Sequence, residues 1–330
     1  MSKGCRAAIT GVGSYLPARV LTNADLEKMV DTSDEWITKR TGIKQRRLAG
    51  PDDSTASMAT AAARAACQDA GIAPADLDLI ICATITPETL CPSSACYIQR
   101  DLRASGSAVF DLSAACSGWV YGLAIATRFI EAGQFRKCLI VGSETLSRFT
   151  DWDDRGSCVL FGDGAGAIVL EPTPDADKGV QYTVMHADGT GWDYIWIPAG
   201  GARMPASAQT VGQGQHTLKM RGRDVYKFAI EKMQWLLGDC MAACELTPDD
   251  VDLVVPHQVN IRILKSAAQK LNFPMDKVYV NIDRLGNTSA ASIPLALDEA
   301  RRSGRIGPGS TILLIAFGAG LTWAGATVRL

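Results

Sequence analysis

Histidine is scarce in this sequence: three residues in 330. Nor is there a surplus of positive charge. Lysine and arginine number 33 against 35 aspartates and glutamates, a net charge of −2. No overall basic field argues for nucleic acid, and no basic tail argues for a membrane surface. The N-terminus lacks the apolar core of a signal peptide. The ten cysteines form no short repeating framework. Cys240 and Cys244 stand one helical turn apart and Cys91 and Cys96 five residues apart, neither pair with a nearby histidine or a matching second pair. Zinc and other metals are therefore not expected, and scattered thiols in a chain this long fit the reducing cytoplasm better than a secreted disulfide scaffold. One stretch, residues 311–328, carries no charge and is long enough to suggest a membrane helix. Gly318, Gly320 and Gly325 interrupt it, and Ile312-Leu313-Leu314-Ile315 has the character of a buried strand. The reading is two buried strands around a glycine turn.

What the sequence does have is apolar content, 47% against 21% charged, enough for a large core and about two domains. It also repeats itself. Pro74-Ala75-Asp76-Leu77-Asp78-Leu79-Ile80-Ile81 aligns without gaps on Pro248-Asp249-Asp250-Val251-Asp252-Leu253-Val254-Val255, an offset of 174. Gly133-Gln134-Phe135-Arg136-Lys137-Cys138 lies over Gly307-Pro308-Gly309-Ser310-Thr311-Ile312 at the same offset. A helical pattern precedes each Pro-Asp segment, at 57–70 and 225–244, and another follows it, at 119–132 and 293–303. Strands at 165–170 and 324–329 end the two halves. Strands alternating with helices predict α/β architecture with mixed sheets covered by helices. Two matching halves predict pseudo-two-fold symmetry, with domains 1–174 and 175–330 meeting where Pro and Asp cluster at 171–177. Residues 189–216, weakly periodic and rich in Gly, Ala and Gln, are expected to be a long loop or hairpin insertion.

Chemistry concentrates at three places. Ala108-Val109-Phe110-Asp111-Leu112 reads as a strand, Ser113-Ala114-Ala115-Cys116-Ser117-Gly118 as a tight turn, and Trp119 onward as a buried helix. Cys116 thus falls near a helix N-terminus, where free N–H groups favour a thiolate nucleophile. The alternative is an inert buried thiol. His257 follows an apolar run and Pro256, where a strand meets a loop, while His186 and His216 look structural or solvated. Asn287 is expected to follow a strand (278–281) and precede a helix, as Cys116 does in the first half. A structural histidine and a turn asparagine are the plainer readings of each alone. Together, a thiolate could take an acyl group while an imidazole and an amide donate to one developing oxyanion. The Cys-Gly-Ser-Cys-Trp type segment of papain-like proteases, which also use Cys, His and Asn, is absent.

These stretches resemble a known family. Asp34-Glu35-Trp36-Ile37, Arg40-Thr41-Gly42-Ile43, Ala114-Ala115-Cys116-Ser117-Gly118, Asp154-Arg155-Gly156, Leu160-Phe161-Gly162-Asp163-Gly164-Ala165-Gly166-Ala167, Pro256-His257-Gln258, Gly286-Asn287-Thr288-Ser289-Ala290-Ala291-Ser292 and Phe317-Gly318-Ala319-Gly320-Leu321-Thr322-Trp323 run in family order over almost the whole chain. Together they are similar to the β-ketoacyl-acyl carrier protein synthases III. These are condensing enzymes of thiolase-like fold, two pseudo-symmetric halves layered α-β-α-β-α, that start type II fatty-acid synthesis.

The resemblance implies roles for this sequence's residues. Cys116 would take the acyl group from a short acyl-coenzyme A, the substrate, with no separate cofactor and no metal. His257 and Asn287 would hold the malonyl thioester of the carrier protein during decarboxylation, with Phe317 as an apolar wall. Backbone N–H groups of Cys116 and Ala319 would form the oxyanion hole. Trp36, Arg40, Arg155 and Arg223 would bind coenzyme A, with Trp36 and Arg155 sandwiching the adenine. Arg262, Lys265 and Lys270 would receive the acidic carrier protein, Arg262 and Lys265 sharing one helix face. Leu90 and Cys91 would line an acyl pocket in the partner subunit of a homodimer. The sequence departs from the family pattern at Arg223, where asparagine is common, at Cys91, where phenylalanine is common, and at Ala324, where glycine is common. The smaller Cys91 implies room for primers larger than acetyl. Competing readings are a thiolase-fold relative making a quinolone or polyketide or transferring an acyl group to oxygen, a Cys-His-Asn thioester hydrolase, and a non-catalytic acyl-binding scaffold.

Overall fold

Strand Leu79–Ala83 shows how the architecture is built. Its residues are all buried, but Leu79, Ile81 and Ala83 join one apolar cluster while Ile80 and Cys82 join another. A pleated strand sends alternate side chains to opposite faces, and this one is covered on both. Strand Thr311–Gly318 behaves the same way, with Ile312, Leu314 and Ala316 on one face and Leu313, Ile315 and Phe317 on the other. That two-sided burial explains the uncharged stretch at 311–328: it forms this strand and its antiparallel neighbour Thr322–Arg329. No helix among the described residues is long and apolar enough to cross a membrane.

The structure, a computed structural model, describes residues 5–330. A five-stranded sheet runs in the order Arg6–Tyr15, Gly164–Thr173, Cys138–Glu144, Leu79–Ala83, Ala108–Leu112. Leu79–Ala83 is parallel to both of its neighbours, and the remaining pairs are antiparallel. A four-stranded sheet runs Leu253–Pro256, Thr311–Gly318, Thr322–Arg329, Gly179–Ala187. Helices Gly118–Glu131 and Ser292–Arg302 lie between the sheets, and their Trp119, Leu123, Ile293 and Leu297 share a cluster with residues of both. Thr55–Ala70 and Ser94–Leu102 cover the outer face of the first sheet, Gly222–Ala243 and Ile261–Lys270 that of the second. The stack is helix, sheet, helix, sheet, helix, the mixed-sheet thiolase-like layering expected from the sequence.

The offset of 174 residues recurs in space. Leu79–Ala83 corresponds to Leu253–Pro256, the short turn Ala115–Ser117 to Ser289–Ala291, and Gly118–Glu131 to Ser292–Arg302. Ala115 and Ser289, at the same place in the two turns, both have φ of 48°. The sheets are joined through residues 174–178.

One expectation changes, and the expected hairpin insertion is found. The segment at 278–281 pairs with the second sheet only at a single bridge, Val254 with Val278, and the one-turn helix Ile282–Leu285 separates it from Asn287. Asn287 therefore does not leave a strand directly. Gln258, more than twenty residues earlier, accepts hydrogen bonds from the Asn281 and Ile282 N–H groups where the chain turns out of extended form. The insertion at 189–216 is a hairpin with contents, Ile195–Trp196 pairing with Lys219–Met220 around the short helix Ala208–Gly212.

Candidate active site

The turn bearing Cys116 is held from several directions. Strand Ala108–Leu112 delivers the chain, Ala115 adopts left-handed backbone, and helix Gly118–Glu131 follows at once. The Thr322 hydroxyl donates to the Ala114 carbonyl at 2.9 Å. Gly318, at the end of its strand, packs so closely that a Cβ there would stand 2.7 Å from the Cys116 nitrogen. The absence of a side chain lets strand end and nucleophile turn meet.

His257 lies one residue past the strand Leu253–Pro256 and is almost wholly buried. Its N–H donates to the Ile315 carbonyl at 2.7 Å, and its ring meets Phe317 edge-on with centroids 5.6 Å apart. Nδ1 is 2.7 Å from the Ser292 hydroxyl oxygen. The Gln258 N–H donates to that same oxygen at 3.4 Å; with the hydroxyl hydrogen directed at Nδ1, the ring carries its own hydrogen on Nε2. Gln258 satisfies its amide completely: Nε2 donates to the Pro256 and Tyr279 carbonyls, and Oε1 accepts from Asn281 and Ile282. It locks the end of the histidine strand to the segment leading to Asn287.

Asn287 is fixed just as firmly. Its N–H donates to the Leu160 carbonyl and its carbonyl accepts from the Gly162 N–H, forming a bridge beside Phe161. Its Oδ1 accepts from the Ser289 N–H at 2.9 Å, which leaves the Nδ2 hydrogens to donate.

Cys116, His257, Asn287, Phe317 and Ala319 all line one cavity, with about 630 Å³ of unfilled space including its mouth. The rest of its wall is almost entirely apolar, and Ile195, Leu218 and Met220 of the hairpin insertion form part of it. One thiol, one imidazole N–H and one amide N–H thus face a common low-dielectric space, where donors act strongly on developing charge.

The same burial sets the protonation states. The accessible part of Cys116 opens to the cavity and not to bulk water, so desolvation pushes its thiol up to about 12, outweighing the Ser289 hydroxyl's favourable contact. Burial thus opposes the thiolate that the helix N-terminus is expected to favour. Burial also holds His257 neutral, lowering it from 6.5 to about 3. An unfolded chain binds a proton at this histidine below pH 6.5 and the folded chain does not, so folding stability falls as pH drops from 6.5 toward 3. His257→Gln lacks that contribution. Its melting temperature should decline less than that of the unmodified chain over this window in thermal melts, and equal slopes would contradict a buried neutral ring.

Outside the cavity the implied ligand residues divide. The Arg155 guanidinium lies 5.0 Å and that of Arg40 5.6 Å from the Trp36 ring centre, within cation–π reach. Arg155 also donates to the Asp31 carbonyl at 2.9 Å. Arg40 joins this patch to the next helix, since the Asn260 side chain donates to its carbonyl. Arg223 is exposed in the first turn of Gly222–Ala243. Arg262, Lys265 and Lys270 are exposed on Ile261–Lys270, with Arg262 5.9 Å from the Tyr226 ring centre. Leu90, 86% exposed, and the exposed Cys91 do not line this chain's cavity. All ten cysteines are unpaired, and no cluster of three or more metal-ligating side chains forms among the described residues.

The sequence reading missed Ser292, Gln258, Ser289 and Glu144, a buried carboxylate near Cys116. Three of them stand inside quoted motifs but carry no recognisable chemistry alone. Glu144 had one visible signal, a charge following the apolar run 138–142 and Ser143.

Comparison with known proteins agrees with this geometry. The family model for 3-oxoacyl-(acyl-carrier-protein) synthase III matches residues 110–189, and the model for its C-terminal part matches residues 241–330. The β-ketoacyl-(acyl-carrier-protein) synthase III of Caldanaerobacter subterraneus subsp. tengcongensis is 52% identical over 329 residues, covering 100% of this chain and 99% of that protein. The crystal structure of 3-oxoacyl-(acyl-carrier-protein) synthase III from Aquifex aeolicus VF5 superposes with a TM-score of 0.90 at 45% identity, covering 98% of this chain and 100% of that one. The priming β-ketosynthase of the R1128 polyketide biosynthetic pathway superposes with a TM-score of 0.92 at 36% identity, covering 100% and 98%. With half its residues shared end to end with such a relative, and the Cys-His-Asn cavity in place, the chain belongs to the β-ketoacyl-acyl carrier protein synthase III family.

Proposed function

We propose that this enzyme is an acyltransferase that condenses a short acyl-coenzyme A primer with malonyl-acyl carrier protein, releasing carbon dioxide and giving a 3-oxoacyl-acyl carrier protein, the first step of fatty-acid synthesis. The observation that carries this reading is the sharing of one apolar cavity by Cys116, His257 and Asn287.

The chemistry runs in two halves. The Cys116 sulfur attacks the primer thioester, its bond to the acyl carbon forms, and coenzyme A leaves with the proton balance made up from water. Backbone N–H groups of Cys116 and Ala319 hold the tetrahedral oxyanion. Malonyl carrier protein then enters, and His257 Nε2–H and Asn287 Nδ2–H donate to its thioester oxygen. Loss of carbon dioxide leaves the electron pair in an enolate, which these donors stabilise. Phe317 offers the departing carboxylate no counter-charge, which favours its loss. The enolate carbon attacks the acyl-Cys116 carbonyl and the sulfur is released. No step calls on a metal or a separate cofactor.

Coenzyme A lies across Trp36, with Arg155, Arg40 and Arg223 supplying stacking and phosphate contacts. The acidic carrier protein docks on Arg262, Lys265 and Lys270. The enzyme works in the cytoplasm as a homodimer, and Leu90 and Cys91 of one subunit border the acyl pocket of the other. The first half, 1–174, supplies the nucleophile and the second, 175–330, the two donors.

Intact-mass measurement tests this. Incubation with acetyl-, isobutyryl- or hexanoyl-coenzyme A should give one covalent adduct each, about 42 Da for acetyl. Malonyl carrier protein should then discharge the adduct with release of carbon dioxide. Free acid released without malonyl acceptor would identify a thioester hydrolase instead. Strict preference for acetyl would contradict the roomier pocket implied by Cys91.

A further inference from the structure

Cys116 and Ala319 both line the cavity but come from different halves of the chain. Cys116 sits in the turn Ala115–Ser117, and Ala319 in the short loop that joins strand Thr311–Gly318 to strand Thr322–Arg329. Among the described residues no turn or loop carbonyl accepts from the N–H of either. Each segment has its own support. The Leu321 N–H donates to the Asp188 carbonyl and the Leu321 carbonyl accepts from the Asp188 N–H, both at 2.8 Å, which pins the loop from one side. The cysteine turn closes on itself, the Ser117 N–H donating to the Ala114 carbonyl at 3.2 Å.

One side chain links the two segments. The Thr322 hydroxyl, which donates to the Ala114 carbonyl at 2.9 Å, lies 3.2 Å from both the Ala319 carbonyl oxygen and the Ser117 hydroxyl oxygen. Among the described residues no other hydrogen bond crosses between 113–118 and 318–322. The Thr322 methyl faces the loop itself: a Cβ at Gly320 would stand 3.2 Å from it. A β-branched side chain has few χ1 choices, so a methyl resting against Gly320 holds the hydroxyl toward the turn. The close approach of Gly318 to the Cys116 nitrogen sets how near the segments come, but a packing contact has no preferred direction, whereas a hydrogen bond does.

We propose that Thr322 is a positioning residue for oxyanion stabilisation, its hydroxyl fixing the separation and aim of the Cys116 and Ala319 N–H groups. The proposal rests on the condensing function argued above and deepens it. The Ala114 carbonyl belongs to the peptide leading into Ala115, whose left-handed backbone orients the Cys116 N–H. The Ala319 carbonyl is on the same residue as the second N–H. Donors act on an oxyanion only within hydrogen-bond distance of the developing charge, so a small drift of either segment loses one of them. The tetrahedral oxyanions of acylation and condensation both meet this pair, while the enolate of decarboxylation meets His257 and Asn287. Thr322 does not line the cavity and acts only through the backbone.

The test is single-turnover acylation of the full chain over a range of acetyl-coenzyme A concentrations, followed by intact mass, for the unmodified enzyme, Thr322→Val and Thr322→Ser, with thermal melts for each. Thr322→Val keeps the methyl and loses the hydroxyl, and its maximal acylation rate should fall about 10- to 100-fold. The acetyl-coenzyme A concentration giving half that rate should move by less than about threefold, since binding is untouched. Thr322→Ser keeps the hydroxyl and should recover most of the rate. If Thr322→Val does not fold, Thr322→Ala carries the same comparison. Iodoacetamide provides a second readout, because the Cys116 sulfur displaces iodide from a saturated carbon and no oxyanion forms at that carbon. Alkylation of the peptide bearing Cys116 should therefore proceed at one rate in Thr322→Val and the unmodified enzyme. Thr322→Val acylating at the unmodified rate, Thr322→Ser as slow as Thr322→Val, or equal slowing of acylation and alkylation, which would mean a displaced sulfur, would each overturn the positioning role alone. An unmodified enzyme that forms no acyl adduct would overturn that role and the condensing function together.

Discussion

Cys116→Ala should form no acyl-enzyme with any coenzyme A thioester and should lose overall condensation by on the order of 10⁴-fold or more, because no other group in the cavity can make the covalent bond. The other cavity-lining side chains are apolar apart from His257, Asn287 and Ser289, and the imidazole, neutral and bound at Nδ1, is placed as a donor. The protein itself should tolerate the change. The corresponding turn in the second half, Ser289–Ala291, adopts the same backbone with Ala290 in the place of Cys116, 174 residues on. The turn therefore does not need the sulfur to form. Removing a thiol that burial disfavours in its charged form should leave the melting temperature nearly unchanged. Intact mass after incubation with acetyl-coenzyme A is the direct readout. An adduct of about 42 Da surviving in the alanine variant would place the nucleophile elsewhere. Residual decarboxylation of malonyl carrier protein is compatible with the variant, since the two N–H donors remain.

Two-sided burial was legible because it leaves an unbroken apolar run in the sequence. Leu79-Ile80-Ile81-Cys82-Ala83 is apolar at every position, which suits only a strand covered on both faces. The 174-residue offset showed that this layer occurs twice. Cys116, His257 and Asn287 were legible because each stands beside a small-residue turn or a strand end. What stayed hidden is whatever depends on contacts between distant segments. Ser292 matters because it lies 2.7 Å from a ring 35 positions away, and nothing in its neighbours along the chain announces that. Glu144 meets Thr84 and Thr86 across two strands whose pairing no local pattern specifies. The burial that opposes a Cys116 thiolate was hidden for a related reason. A helix N-terminus is visible in a sequence, whereas the apolar walls that outweigh it come from residues as far apart as Ile85 and Leu321. Leu90 and Cys91 show the limit of one chain, since both are exposed and neither lines its cavity.

The second large effect separates the two half-reactions. His257→Ala and Asn287→Ala should each retain acylation by acetyl-coenzyme A within about tenfold while slowing malonyl decarboxylation by roughly 10²- to 10³-fold, the usual cost of one lost donor to a developing oxyanion. With the Ser292 hydroxyl hydrogen on His257 Nδ1, Nε2–H is the ring's donor, and the Ser289 N–H claims Asn287 Oδ1, which leaves Nδ2–H as the amide's. Neither donor is required for the sulfur to attack the primer, whose oxyanion meets backbone N–H groups. Both are required when the enolate forms. Asn287→Asp should be worse than Asn287→Ala, because a carboxylate replaces a donor with a negative charge facing the enolate in a low-dielectric cavity. Ser292→Ala should imitate a weakened His257, since the ring loses the partner that fixes its tautomer. Rapid-quench measurement of acyl-enzyme formation, alongside carbon dioxide release from malonyl carrier protein, reads the halves separately. Equal losses in both halves for every one of these variants would mean that Cys116, His257 and Asn287 act as one indivisible unit, contrary to the division of labour their hydrogen bonds describe.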